Sequence, residues 1–427
     1  MAKRKCKRMI ILSFDAMGAR DLQYMKQQPN FQKIYEGSAR CEKVFSVYPS
    51  ITYPAHASIV TGKYPRSHKV VNNSLIQPGR IFPDWMWQRK YIHGTTFYDE
   101  AIKKGKKVAA LLWPVTAKSK IQYNLPEVVA LRPWQNQIVV SALNGSMFYE
   151  IDLARRFGKC IKGIQQPELD NFVQLSLLYT LKKYRPDLTM VHFTDLDTTR
   201  HRKGLDNENT YQAMDRHDKR LGEIMELLQK EGMEEETTIV LLGDHSQMDV
   251  HTIVNLNALL AKRGYVKVRN KKIIGYRALA KHCDGSCYIY IKDPSIVPQV
   301  ADLLKEWKKK GCYGIEKIWN RKQVRELGAD DRCSFMVEAK EGYYFLDGVD
   351  SPVKRVEEEK DHPMKATHGY LPYKEGYETF FMMKGPGVKE NVHVEKMTLV
   401  DEGPTIAKLL SLNLKGADGR VVEEMLV

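Results

Sequence analysis

The feature that most constrains this chain is a series of short apolar runs, each halted by polar residues. Met9–Phe14 stops at Asp15, and Lys107–Leu112 at Trp113-Pro114. Leu188–Phe193 runs into Thr194, Asp195 and Asp197; Thr238–Leu242 ends at Gly243-Asp244-His245, and Glu378–Met383 at Lys384-Gly385-Pro386. Runs that are apolar throughout suit strands buried on both faces. Helical patterns lie between them at Gln165–Lys183, Thr210–Lys230 and Leu256–Lys262. The alternation predicts an α/β protein with a mostly parallel sheet covered by helices on both faces. Ligands of such sheets bind at the carboxyl ends of strands. Three of the runs deliver Asp or His to that edge.

At 427 residues the chain exceeds one simple core. The texture changes near Lys262, where Val266–Val268, Ile273–Ile274, Tyr288–Ile291 and Tyr343–Leu346 read as shorter strands among polar loops. The charged stretch Val353–Asp361 reads as a loop. The expectation is a core of residues 1–261 and 361–427 with an inserted α+β lobe over 262–360. Hydrophobic residues make up 43% and charged residues 28%, which argues against disorder.

The net charge is 67 − 52 = +15. It fits an anionic ligand, or lysines solvated on helices such as Ala101–Lys107 and Leu303–Lys310. No RNA-binding signature or zinc-finger spacing accompanies it, so no stable nucleic-acid partner is expected. The seven cysteines are odd in number and irregular in spacing, which opposes a disulfide framework. Cys283 and Cys287 flank His282, Asp284 and Gly285, where a turn into Tyr288–Lys292 is preferred to a structural metal clip. After the basic start Met1–Arg8, the apolar run is too short for a signal segment, and none spans a membrane. A cytoplasmic protein without a membrane partner is expected; its oligomeric state is left open.

Metals of the zinc type take imidazole nitrogen and carboxylate oxygen. Four places offer them: Asp15, Asp197 with His201 four residues on, Asp244-His245, and His368 in a Gly-containing loop. Singly each is weak, since an Asp after a strand also caps helices. The segment Tyr48–His68 adds a polar start before a helix-like Ala55–Thr61. A hydroxyl at a helix start meets the positive end of the dipole, which favours a developing alkoxide and binds phosphate oxygens. A plain Thr or Ser N-cap is the competing reading. Ser50 competes with Thr52 as nucleophile, and Asp195 with Asp197 as ligand.

Taken in order, Phe14-Asp15, Thr52-Tyr-Pro-Ala-His-Ala-Ser-Ile-Val-Thr-Gly62, Asp197-x-x-x-His201, Gly243-Asp-His245 and Thr367-His-Gly-Tyr370 resemble the alkaline phosphatase superfamily. The closer likeness is to its nucleotide pyrophosphatase/phosphodiesterase, or type I phosphodiesterase, branch. The ending Ala417-Asp-Gly-Arg420 is similar too. The resemblance implies an alkaline-phosphatase-like core and two divalent metal ions, zinc first and manganese as the alternative. One ion would take Asp197, His201 and His368. The other would take Asp15, Asp244 and His245 with the Thr52 oxygen. Asn73 lies where the family has an Asn contacting a phosphoryl oxygen, and Tyr53 where an aromatic stacks on a base.

The implied reaction is hydrolysis of a phosphodiester or pyrophosphate bond in a small anionic substrate, a nucleotide being one candidate. It would pass through a covalent phosphothreonine at Thr52. Phosphomonoester or phosphonate hydrolysis on the same core, and a basic nucleic-acid-binding protein without turnover, are the alternatives. The match frays at Ala55, Lys69 and Ser246, where Asn, Gly and Gly are usual, without loss of a ligand. His192 stands where another aromatic is usual. His192, His217, His251 and His393 read as structural or surface residues. Arg200 and Arg202 read as surface arginines or as contacts to an anionic substrate.

Overall fold

A computed structural model of the chain describes residues 6–80, 82–359 and 363–427. Its first strands in chain order are β1 (Arg8–Phe14), β2 (Ala39–Phe45), β3 (Val108–Leu111), β4 (Tyr123–Leu125), β5 (Leu188–Phe193), β6 (Thr237–Leu242) and β7 (Met248–Val254). The main sheet has eight strands, in the order Met397–Thr398, β2, Thr379–Lys384, β6, β1, β5, β3, β4. β1 is its centre and pairs in parallel with both β5 and β6. Thr379–Lys384 is the antiparallel exception, bonded to β6 and β2.

Side chains of β1 alternate between two cores because successive residues of a strand face opposite ways. Met9 and Ile11 enter one with Val240 and Leu242; Ile10, Leu12 and Phe14 enter the other with Leu241 and Val191. Helices including Thr52–Thr61 cover the first face and Glu168–Tyr184 and Glu208–Lys230 the second. This two-sided burial is why the strand sequences read as unbroken apolar runs.

β2 did not read as a strand. Its sequence carries Arg40, Glu42 and Lys43, and it is only half-buried. The helix read at Ala101–Lys107 is displaced to Phe97–Lys103, because Gly105 takes a left-handed φ of 75° and ends it.

Beyond β7 the chain builds an antiparallel four-stranded sheet in the order Ala278–Cys283, Ser286–Ile291, Phe335–Ala339, Ile315–Asn320. Its core is separate and includes Leu279, Ile289, Leu304, Trp307 and Val337. β7 itself pairs with Gly342–Phe345, Val353–Arg355 and Ala366–Thr367. The stretch expected to be a loop over Val353–Asp361 therefore begins as a strand, recruited by β7; residues 360 and 361 lie outside the described residues, as do 1–5 of the basic start. Among the described residues, no helix is long and apolar enough to cross a membrane.

Candidate metal centre

β1, β5 and β6 run parallel and side by side, so they end at one edge of the sheet. Asp15 follows β1 directly, and its amide donates to Phe193 O at 2.9 Å. Asp244 and His245 follow β6 and are fully buried. The departure from β6 needs Gly243: a Cβ there would lie 2.0 Å from Met17 O. Asp244 Oδ1 accepts from the Ala16 amide at 3.2 Å, so the turn after β1 and the end of β6 hold each other.

Thr52 is the first residue of the helix Thr52–Thr61, and the N-cap position falls to Ile51, so Thr52 is not the capping residue. It faces His245 instead, with Oγ1 3.2 Å from Nε2. The same Nε2 lies 3.4 Å from Asp15 Oδ1 and 3.2 Å from Asp244 Oδ2. Donor atoms of Asp15, Asp244 and His245 all fall within 4.8 Å of one another. Asp15 Oδ1, Asp244 Oδ2 and His245 Nδ1 are buried with no hydrogen-bond partner. Burial, then the nearby Asp197 charge, pushes the Asp15 carboxyl up to about 7. Burial and Asp15 push Asp244 well above the usual carboxylate range. Unpartnered carboxylate oxygens converging on an imidazole form a donor set that fits a divalent cation.

A second group adjoins the first. Asp197 and His201 stand one turn apart on the helix Asp195–Lys203, with Oδ1 and Nε2 3.2 Å apart. His201 Nδ1 is fixed by Ala366 O at 2.8 Å. Burial opposes protonation of His201, but the Asp197 carboxylate overcomes it and lifts the imidazole to about 9. His368 Nε2 lies 3.9 Å from Asp197 Oδ1, and its ring is 4.5 Å from that of His245 and 5.0 Å from that of His201. Donor atoms of Asp197, His245 and His368 likewise lie within 4.8 Å of one another, so His245 stands between the two groups.

Three neighbours of this cluster were not among the residues expected at the site. Asp284, read only as part of a turn, is at the tip of the hairpin joining Ala278–Cys283 to Ser286–Ile291, with Oδ2 3.3 Å from His368 Nδ1. Gln247 donates through Nε2 to Asp197 Oδ1. His192 on β5 is fully buried, Nε2 3.1 Å from Asp15 Oδ2 and Nδ1 3.7 Å from Glu127 Oε2. A histidine read as merely structural or surface thus touches a candidate ligand.

Other candidates go elsewhere. Ser50 Oγ donates to Tyr370 O at 2.6 Å, which ties it to the backbone rather than to the cluster. Asp195 is taken by Arg216 at 2.7 and 2.9 Å. Arg200 is neither a surface arginine nor a substrate contact: it is fully buried, bonded to Ala16 O at 2.6 Å and paired with Asp21 at 2.5 Å. Arg202 is exposed. Tyr53 does not reach the cleft as a base platform. Its ring is 1% exposed and packs edge-on against Trp85 at 5.3 Å, and Trp85 lines the cleft in its place. Asn73 does line the cleft; its Oδ1 accepts from the Tyr53 amide at 3.0 Å, which leaves Nδ2 free to meet an incoming oxygen.

The cluster forms part of the lining of a cleft of about 1240 Å³. Its lining residues include ones from the segments 72–80, 82–85, 125–172, 271–284 and 344–349, with Glu359, Met364 and His368.

A mostly parallel sheet with Asp and His ligand types gathered at its carboxyl edge is the alkaline-phosphatase-like class of α/β fold. The chain belongs to the type I phosphodiesterase/nucleotide pyrophosphatase family, whose profile matches residues 9–371. It is 24% identical over 420 residues to an ectonucleotide pyrophosphatase/phosphodiesterase of Caenorhabditis elegans, covering 97% of this chain but 43% of that one. It is 22% identical to human ectonucleotide pyrophosphatase/phosphodiesterase family member 5, covering 96% of this chain and 76% of the relative. The chain thus spans less than half the length of the nematode relative. The solved structure of murine ectonucleotide pyrophosphatase/phosphodiesterase 5 shares the fold with a TM-score of 0.69 at 18% identity, covering 98% of this chain and 100% of that one. A second structure of the murine protein holds AMP in a variant described as inactive, one threonine being changed to alanine.

Proposed function

We propose that this chain hydrolyses phosphodiester or pyrophosphate bonds at a two-metal centre, with Thr52 as nucleophile. The observation that carries the reading is the approach of Thr52 Oγ1 to 3.2 Å from His245 Nε2, beside the buried carboxylates of Asp15 and Asp244. Family membership and the AMP bound by the murine neighbour support it.

Asp15, Asp244 and His245 would hold one ion together with Thr52 Oγ1, and Asp197, His201 and His368 the other. Zinc suits this mixture of imidazole and carboxylate. Bound there, the two ions would lower the pKa of a bound hydroxyl and neutralise charge on the attacking and leaving oxygens.

The chain's own residues do the rest. Helix Thr52–Thr61 presents the Thr52 oxygen at its amide end, where the dipole favours a negative oxygen. Thr52 Oγ1 attacks phosphorus, the ester oxygen leaves, and a phosphothreonine forms; water then releases it. Asn73 Nδ2 donates to a phosphoryl oxygen as its charge grows. Ala366 O and Asp284 hold the two imidazoles in orientation. The cleft beyond the cluster has room for a second ester group, which favours diesters over monoesters.

Thr52→Ala is the test. Turnover of bis(4-nitrophenyl) phosphate should fall by at least about 10³-fold while elemental analysis still finds two metals per chain. Near-normal turnover in that variant rejects the nucleophile, and a faster wild-type rate on 4-nitrophenyl phosphate rejects the preference for diesters.

A further inference from the structure

We propose that the outer face of the helices Gln137–Asn144 and Met147–Phe157 docks on an anionic membrane surface. The inference is independent of the chemistry at Thr52. More than half of the large apolar side chains exposed among the described residues fall within residues 134–164. Trp134 is 80% exposed, Phe148 86% and Leu143 61%, and Val139 and Met147 are exposed as well. None of these five lines the cleft.

The two helices follow one another across Gly145-Ser146 and are held to the body by other side chains. Val140 packs with Ala117 and Val128, while Tyr149 and Leu153 join the core that Phe14 enters. Ile138 and Ala142 turn to the cleft, whereas Val139 and Leu143, also four residues apart, form the neighbouring stripe. That stripe serves neither the core nor the cleft. Single exposed apolar side chains are ordinary on a protein surface, but a concentration of them marks a contact with something apolar.

The charge around the stripe identifies its partner. Arg155, Arg156, Lys159 and Lys162 follow it in the chain and are exposed; Lys118, also exposed, donates its amide to Asn144 O at 2.6 Å, beside Leu143. The two acids within residues 128–165 are withdrawn. Glu150 is buried and accepts from Ser141, and Asp152 accepts from Arg156 at 2.9 Å and Tyr179 at 2.6 Å. Lys162 is paired with Glu168, but Lys118, Arg155 and Lys159 make no ion pair among the described residues. An apolar stripe flanked by Trp134 and Phe148, with exposed charge of one sign beside it, suits a helix pair lying in a layer of anionic headgroups. A second copy of the chain would set these cations against its own. A single-stranded nucleic acid wants aromatic rings to stack on, whereas Val139, Leu143 and Met147 are aliphatic. The expectation of no membrane partner came from the shortness of the apolar runs. Run length bears on spanning a bilayer, while a helix lying flat needs only one apolar stripe.

The test is co-sedimentation with vesicles of phosphatidylcholine alone and of phosphatidylcholine mixed with phosphatidylglycerol, at low salt. The wild type should bind the anionic vesicles at least about tenfold more strongly than the neutral ones, and the difference should shrink as salt rises. The double variant Trp134→Ser/Phe148→Ser, altered at exposed positions away from the cleft, should bind anionic vesicles at least about tenfold more weakly while melting at the wild-type temperature. Lys118→Glu/Lys159→Glu should bind the two kinds of vesicle alike.

Failure of the wild type to sediment with anionic vesicles, or equal binding of the wild type to both kinds, overturns the proposal. Undiminished binding by the serine variant overturns it too. Dimerisation that the serine variant loses, without any vesicle binding, would assign the stripe to a second copy of the chain instead. Tighter binding of oligothymidylate than of anionic vesicles would assign it to nucleic acid.

Discussion

Asp284 shows how much of a site can rest on one residue outside the candidate ligand set. Its Oδ2 lies 3.3 Å from His368 Nδ1, and the next residue, Gly285, donates its amide to His368 O at 2.8 Å. Side chain and backbone of one hairpin tip thus fix both ends of the histidine. Gly369 completes the clamp at a φ of 86°, since a Cβ there would meet Cys283 O at 1.7 Å. A carboxylate on the far nitrogen of a metal-binding imidazole fixes its tautomer and raises its basicity. Asp284→Ala should therefore weaken zinc binding by about 10- to 100-fold in a competition titration with a chromophoric chelator. Turnover should return at high zinc, and Asp284→Asn should lie between wild type and Ala. Unchanged affinity in the Ala variant would remove Asp284 from the site. The candidate ligands Asp15, Asp197, His201, Asp244, His245 and His368 were weak signals singly and became legible only because their short motifs, taken in order, resemble a known family. Asp284 and Gln247 were not, because each acts through a contact with a residue remote in sequence. Tyr53 was misread because its place beside Thr52 says nothing of which way a helix turns its next side chain.

Among the elements, the helix Thr52–Thr61 sets the position of the Thr52 oxygen, and its far end is as constrained as its near one. It stops at Gly62, whose φ is 65°, and whose carbonyl accepts from the amides of Asp418 at 2.7 Å and Gly419 at 3.0 Å. The carboxy-terminal segment thereby anchors the helix from below. A Cβ on Gly62 would lie 2.7 Å from Pro404 Cδ. Gly62→Ala combines about 1–2 kcal/mol for the left-handed backbone with about 1–3 kcal/mol of overpacking. Denaturant titration should show a loss of that size; a loss below about 0.5 kcal/mol would mean that the anchor yields freely. The helices Gln137–Asn144 and Met147–Phe157 are linked by another device. Ser141 Oγ donates to Glu150 Oε2 at 2.5 Å, while Oε1 is buried without a partner. Burial raises the Glu150 carboxyl to about 7, above its unfolded value near 4.5. The folded state therefore holds a proton that the unfolded state has lost. The associated stability is fully present below about pH 4.5 and is lost as pH rises through 7. Glu150→Gln should be more stable than wild type at pH 8, by on the order of 2 kcal/mol, and nearly equal to it at pH 4.5. Parallel stability curves for the two proteins would refute the assignment.

At the scale of the molecule, the sheet edge alone does not complete the centre. Asp15, Asp197, Asp244 and His245 come from the ends of β1, β5 and β6, whereas His368 follows the short strand Ala366–Thr367 that pairs with β7. That difference explains what could be read in advance. The main strands are apolar on both faces and declare themselves, while β2 and β7 mix charged and apolar residues and emerge only from their pairing. The arrangement also stores an electrostatic cost in one place, since Asp15, Asp197 and Asp244 converge where little water can screen them. A bound cation offsets that repulsion, and a ligand held only by the folded state stabilises it by about 4 kcal/mol at a thousandfold excess over Kd. Chelation should therefore lower the melting temperature by several degrees, and zinc should restore it. The double variant Asp15→Asn/Asp244→Asn removes two of the converging charges at constant shape. In chelator it should melt above the wild type, and added zinc should no longer shift it. A variant that melts below wild type in chelator would show that hydrogen bonds made by these carboxylates, such as Ala16 N to Asp244 Oδ1, outweigh their mutual repulsion.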